Sequence, residues 1–147
     1  MNKDSKPAMI NISIIPKTEL PKDKADDMQK RVEAPEHNHD RGPCTVWNDP
    51  GAQTNLFVAV DARTNTPIGI LHRGGEKNNI SAGWWMDSSF RGKGYGTAMV
   101  SEFARMLKKK EGVTGVSPIL IDSFQGQYNE QSAKLATRFK EIIYSTQ

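Results

Sequence analysis

The 147-residue chain carries a single cysteine, Cys44, which excludes an intramolecular disulfide and a cysteine-built metal cage. Histidine is scarce too, with three in all. Two of them fall in Glu36-His37-Asn38-His39-Asp40, but no further ligand cluster stands elsewhere, so no metal site is expected. No apolar run approaches the roughly 20 residues that cross a bilayer, and no membrane partner is expected. The opening Met1-Asn2-Lys3-Asp4-Ser5-Lys6-Pro7 lacks the charged, apolar, small-residue order of a secretory signal, which leaves the cytoplasm as the expected location. A strong charge of one sign is also missing: the formal net charge is +3, and the aromatics, 7% of the residues, are not interleaved with the basic ones as single-strand readers require. A nucleic-acid role is therefore not expected. The densest basic cluster, Lys108-Lys109-Lys110, ends a predicted helix, where cations already stabilise the helix dipole.

A composition of 36% hydrophobic and 25% charged residues fits one soluble domain spanning residues 1–147. Residues 1–8 read as a flexible tail. Met9 to Ile15 alternates apolar and polar residues as a first strand, and Pro16 ends it. From Thr18 to Val32 the composition is helical, with Leu20, Ala25, Met28 and Val32 as a weak apolar stripe and Pro21 in the first turn. Residues 33–54 lack periodicity and read as a long surface loop with room for one short helical turn. Leu56 to Val60, Ile68 to Leu71 and Ile80 to Met86 then read as three antiparallel strands in succession. In the third, Ile80, Ala82, Trp84 and Met86 share one face while Ser81, Gly83 and Trp85 share the other.

Between that strand and the next helix lies Phe90-Arg91-Gly92-Lys93-Gly94-Tyr95-Gly96-Thr97. Glycines at alternate positions let a backbone turn tightly and approach a ligand closely. The first turn of the following helix presents N–H groups without intrahelical partners, backed by the positive end of the dipole. Such a loop suits a phosphate or pyrophosphate. Dinucleotide folds use a different glycine spacing, and a P-loop ends in Gly-Lys-Ser/Thr, so neither fits. The helix carries Met99, Val100, Phe103, Met106 and Leu107 on one stripe. Ile119-Leu120-Ile121 reads as a buried strand, parallel to its predecessor because a helix intervenes, and Asn129 as the cap of a last helix with Ser132, Leu135, Ala136, Phe139, Ile142 and Ile143 inward.

In this context Arg91-Gly92-Lys93-Gly94-Tyr95-Gly96 matches Gln/Arg-x-x-Gly-x-Gly/Ala, and Asn129-Glu130-Gln131-Ser132 follows the next strand. The chain thereby resembles the GNAT (Gcn5-related N-acetyltransferase) superfamily over about residues 55–139, closest in flavour to its RimJ/RimL-like branch. The resemblance implies a single α/β domain with a mixed, mostly antiparallel sheet, a parallel strand pair splayed at the CoA loop, and helices on both faces. It makes residues 80–140 the CoA-binding core. It implies transfer of an acetyl group from acetyl-CoA to a primary amine of a protein, peptide or small molecule, by direct attack.

Cofactor contacts are then expected from the backbone of Trp85 and Met86, pairing with the pantetheine arm, and from Arg91, Gly92, Lys93, Gly94, Tyr95, Gly96, Thr97 and Asn129. The tyrosine that often protonates the leaving thiolate is replaced by Ala136, which leaves Ser132 or Tyr128 for that role. Glu76, His72 and Asp87 are the candidate bases. The strands that usually follow the last helix are expected to be absent or reduced to Ile142-Ile143-Tyr144, so the acceptor wall falls to a partner subunit, to the 33–54 loop or to nothing at all. A truncated sheet edge gives homodimerisation a reason. The rival expectation is a non-catalytic, CoA-binding regulatory protein.

Overall fold

The computed structural model describes residues 10–117 and 130–145. Four strands form one antiparallel sheet in sequence order: β1 (Ile12–Pro16), β2 (Leu56–Asp61), β3 (Thr66–Glu76) and β4 (Asn79–Met86). Helix α1 (Lys22–Val32) joins β1 to β2, and α2 (Tyr95–Glu111) and α3 (Glu130–Ile143) follow β4. Pro21 stands at the N-cap of α1, where a missing N–H costs nothing, so the helix begins there and not at Thr18. Lys17–Glu19 forms a separate 3-10 turn.

The sheet is covered on both faces because its strands carry apolar side chains at odd and even positions alike. On one face Phe57, Ala59, Leu71 and Ile80 pack with Met99, Val100, Phe103 and Leu107 of α2 and with Leu135, Phe139 and Ile143 of α3. A chain of rings runs through this layer: Phe57 to Phe103 at 5.4 Å, Phe103 to Phe139 at 5.9 Å, and Phe139 to Trp84 at 5.7 Å. Each fully buried Phe contributes about 1.5–3 kcal/mol. On the other face Leu56, Val58, Val60, Ile70 and Trp85 meet Met28 of α1 together with Leu20, Cys44, Trp47 and Ala52. A shift of register between Ala59 and Val60 leaves Ile68 as an extra residue, and Ile68 turns toward the α2 face with Leu71.

The expected surface loop is a packed wall. Three 3-10 turns, Pro35–His37, Pro43–Val46 and Pro50–Asn55, occupy it, and His37, Cys44 and Trp47 are buried. The three prolines that suggested irregular chain each open one of these turns, with φ preset for it.

Past α2, Gly112 closes the helix in a left-handed cap. The chain then returns along β4, with Ile80 N–H donating to the Gly115 carbonyl at 3.0 Å and Ser117 N–H to the Ile80 carbonyl at 2.8 Å, a parallel bridge between Ile80 and Val116. The strand expected over 119–121 lies outside the described residues, as do Tyr128 and Asn129. Ile142 and Ile143 are the last helical turn of α3 and not a residual strand. Tyr144 follows, its hydroxyl accepting from Val116 N–H at 2.9 Å.

Candidate active site

A cleft of about 850 Å³ opens at the end of β4, between the 36–42 segment, the outer edge of β4, the Arg91–Thr97 loop and the start of α3. Its edge is set by strand alternation. Asp87 N–H donates to the Ile68 carbonyl at 3.0 Å, so the odd residues of β4, Trp85 and Gly83 among them, direct their backbone groups to β3. The even residues direct theirs outward. Ile80 spends its pair on Gly115 and Ser117, while Ala82, Trp84 and Met86 turn their N–H and carbonyl groups to the cleft side. This corrects part of the sequence reading: Met86 offers backbone to the cleft, whereas Trp85 is committed to the β3 ladder and contributes only its ring to the wall. The outward pair to Met86 is Trp84, whose backbone is not among the expected cofactor contacts.

The loop comes next. Asp87 caps the 3-10 turn Ser88–Phe90 by accepting from Ser89 N–H at 3.0 Å. Gly92 (φ +75°) and Gly94 (φ +87°) then take left-handed conformations, which glycine enters without the cost a side chain would bring. In α2 the first N–H to return to a backbone acceptor is that of Ala98, onto Gly94 at 3.3 Å. Among the described residues none of the N–H groups from Gly92 to Thr97 has a backbone acceptor, and Gly92, Gly94, Gly96 and Thr97 line the cleft. This is the cradle that an anion requires. It fits the diphosphate of a CoA molecule in donor chemistry, in charge and in its freedom from Cβ atoms.

Two of the expected cofactor residues act away from the cleft through their side chains. Lys93 Nζ donates to the Ser89 carbonyl at 3.1 Å, tightening the loop from behind. Tyr95 stacks edge-on with Phe90 at 5.3 Å and donates its hydroxyl to Asp61 Oδ2 at 3.2 Å, which anchors the start of α2 to the end of β2. Burial foremost, with the Asp61 carboxylate beside it, raises the Tyr95 pKa, so the hydroxyl stays a donor. Arg91 donates Nε to the Met86 carbonyl and Nη2 to Asp40 Oδ2, both at 2.8 Å.

Of the expected catalytic residues, Ser132 on the first turn of α3 lines the cleft. Glu76 does not: it pairs with Asn79 at the hairpin end of β3, seven residues from Gly69 and Met86, roughly 23 Å at the usual strand rise. His72 lies mid-strand opposite Gly83, and burial lowers its pKa. Asp87 is buried and acts on structure, through the Ser89 cap and Arg31 Nε at 3.5 Å.

His37 is committed as well. Its Nδ1 meets the Arg31 carbonyl at 2.6 Å and must donate, while Nε2 faces Ser88 Oγ at 3.1 Å and Ser88 N–H at 3.3 Å and accepts. Among the described residues no three His, Cys, Asp or Glu side chains gather as a metal ion would need.

Residues 4–139 match the family model described as "Acetyltransferase (GNAT) domain". The chain belongs to the GNAT acetyltransferase family. Acyl transfer in general follows from that membership, and acetyl-CoA is the co-substrate the family implies. Among solved structures this GNAT domain is similar to an acetyltransferase from Agrobacterium tumefaciens str. C58, with TM-score 0.56 and 16% identity over 87% of this chain and 78% of that one. It is similar also to the Campylobacter jejuni N-acetyltransferase PseH, with TM-score 0.56 and 16% identity over 86% of this chain and 84% of that one. At such identity these neighbours show the fold. No curated protein matches the chain by sequence. Among the described residues of the GNAT domain no helix is long and apolar enough to cross a membrane.

The wall of the cleft made by Glu36, His39, Asp40, Arg41 and Gly42 lies in the 33–54 loop that the sequence offers as a replacement wall, although no residue of it is among the expected site residues. Its one local signal is the polar run 36–40, whose residue types point equally to a metal ion. The contact of Asp40 with Trp85 and Arg91, 45 and 51 residues away, has no local signature.

Proposed function

We propose that this GNAT domain binds acetyl-CoA and transfers its acetyl group to a primary amine of a protein, peptide or small molecule, by direct attack and without an acyl-enzyme. The observation that carries the reading is the cradle of backbone N–H groups from Gly92 to Thr97 beside the outward edge of Trp84 and Met86. When bound, acetyl-CoA supplies an activated acetyl group and a thiolate leaving group. The backbone of Gly92, Gly94, Gly96 and Thr97 binds the diphosphate, and Arg91 strengthens that binding with its charge. The open N–H groups of Trp84 and Met86 hold the pantetheine arm and polarise the thioester carbonyl.

The amine enters along the 36–42 wall, which supports proximity and orientation by fixing the acceptor against β4. It loses its proton to water or to Glu36, the carboxylate on that wall outside the Asp40–Arg91 pair. Ser132 donates a proton to the leaving thiolate, a role its place on the cleft wall supports. The test is release of free CoA thiol from acetyl-CoA with a panel of peptides, lysine, aminoglycosides and polyamines. Turnover with at least one amine, depressed in Ser132→Ala by about ten- to a hundredfold, is the expected result. Tight binding with no turnover on any amine would contradict it.

A further inference from the structure

The clasp between the acceptor wall and the phosphate loop has an evident task. Asp40 Oδ2 accepts from Trp85 Nε1 at 2.8 Å and from Arg91 Nη2 at 2.8 Å, while Arg91 Nε donates to the Met86 carbonyl at 2.8 Å. The carboxylate is mostly enclosed, with its side chain 22% exposed, and the guanidinium is 46% exposed. Arg91 is thus gripped at two of its donors, and the Asp40 contact ties it to a buried indole that cannot move without disturbing the core under α1. A guanidinium has five N–H protons. Three remain, on the side chain that opens the glycine cradle.

We propose that Asp40 is a positioning residue for cofactor binding: it holds the Arg91 fork against the Met86 carbonyl, so that the remaining Arg91 donors are preset for the diphosphate of CoA. Asp40 touches no ligand in this role and acts only through Arg91. Because Asp40 belongs to the acceptor wall, the two halves of the cleft are set by one side chain. A second link reinforces the coupling: three residues earlier His37, with its side chain 2% exposed, bonds Ser88 at the root of the same loop. The inference rests on the proposed CoA site.

The test is calorimetric titration of the full chain with CoA and with dephospho-CoA, on the wild type, Asp40→Ala, Asp40→Asn, Arg91→Ala and the double variant. Loss of a half-exposed pair is worth about a fivefold rise in Kd. Asp40→Ala is expected to show that rise for both ligands alike, since the effect lies at the diphosphate and not at the 3′-phosphate. Asp40→Asn keeps an oxygen for both donors and is expected to recover most of the affinity. In the Arg91→Ala background, Asp40→Ala is expected to add nothing further. Unchanged binding in Asp40→Ala, or a loss that adds in full to that of Arg91→Ala, would overturn the positioning role while leaving the CoA site standing. A wild type that binds neither ligand would overturn both. Should Asp40→Ala fail to fold, Arg91→Lys serves instead: it keeps the charge and loses the fork, and affinity equal to wild type would overturn the proposal.

Discussion

Two glycines of the same loop, separated by one residue, are expected to respond oppositely to alanine. Gly94 sits at φ +87° as the N-cap of α2, and an L side chain there meets the left-handed penalty of about 1–2 kcal/mol. The smaller freedom of the unfolded alanine chain returns about 0.4–1 kcal/mol, so Gly94→Ala should cost about 1 kcal/mol net. Gly96 lies inside the first turn of α2 with ordinary helical φ, and an added Cβ would rest 3.4 Å and 3.5 Å from the methyl carbons of Leu135, a normal contact. The helix propensity of alanine over glycine then gives Gly96→Ala a gain of about 0.8–1 kcal/mol. The two variants should therefore differ by about 2 kcal/mol, or roughly 4–8 °C in Tm for a domain of this size. Thermal and urea unfolding of both, followed by far-UV circular dichroism, reads the difference. Equal stabilities, or Gly94→Ala the more stable of the two, would refute the assignment of strain to Gly94.

Gly69 lies across from Met86, and a Cβ there would come within 2.6 Å of the Trp85 carbonyl oxygen and 2.7 Å of Met99 Sδ. Gly69→Ala should cost about 2 kcal/mol or more, with the cleft edge displaced, and a midpoint in urea like that of wild type would contradict this. Burial lowers the His72 pKa, so the folded protein resists its protonation. Stability should be level above the unfolded histidine value of about 6.5 and fall as pH drops through the window below it, because the unfolded chain then binds the extra proton. His72→Gln should flatten that part of the profile in urea titrations at pH 7 and 5. The buried Cys44 thiol is pushed up to about 11, chiefly by desolvation. It should react with a maleimide at pH 8 far more slowly in the folded protein than in urea, and equal rates would contradict its burial.

The order of elements and the faces of β4, α2 and α3 could be read from the sequence because each rests on local periodicity. Met99, Val100, Phe103 and Leu107 bury where a 3.6-residue stripe demands, and Ile80, Ala82, Trp84 and Met86 share a face as a period of two demands. The glycine loop was legible for the same reason, since it needs only backbone freedom at a helix start. The 36–42 wall was legible as a loop beside the site but not in its side chains. Its turns at Pro35, Pro43 and Pro50 are locally irregular, and what orders them is burial of His37, Cys44 and Trp47 against strands far away in sequence. Glu76 was assigned by residue type in a turn, without the ladder register that puts it at the far end of β3. Trp85 was assigned backbone contacts that the parity of the β3–β4 ladder gives to Trp84.

The central claim is that the Gly92–Thr97 cradle holds the diphosphate of CoA. Calorimetric titration of the protein with acetyl-CoA, CoA and dephospho-CoA, repeated on Gly94→Trp, tests it most directly. Binding with Kd on the order of micromolar, about −8 kcal/mol, lost when the tryptophan fills the cradle, is the predicted result. Absence of binding by the wild type, or binding unchanged in Gly94→Trp, would contradict the claim.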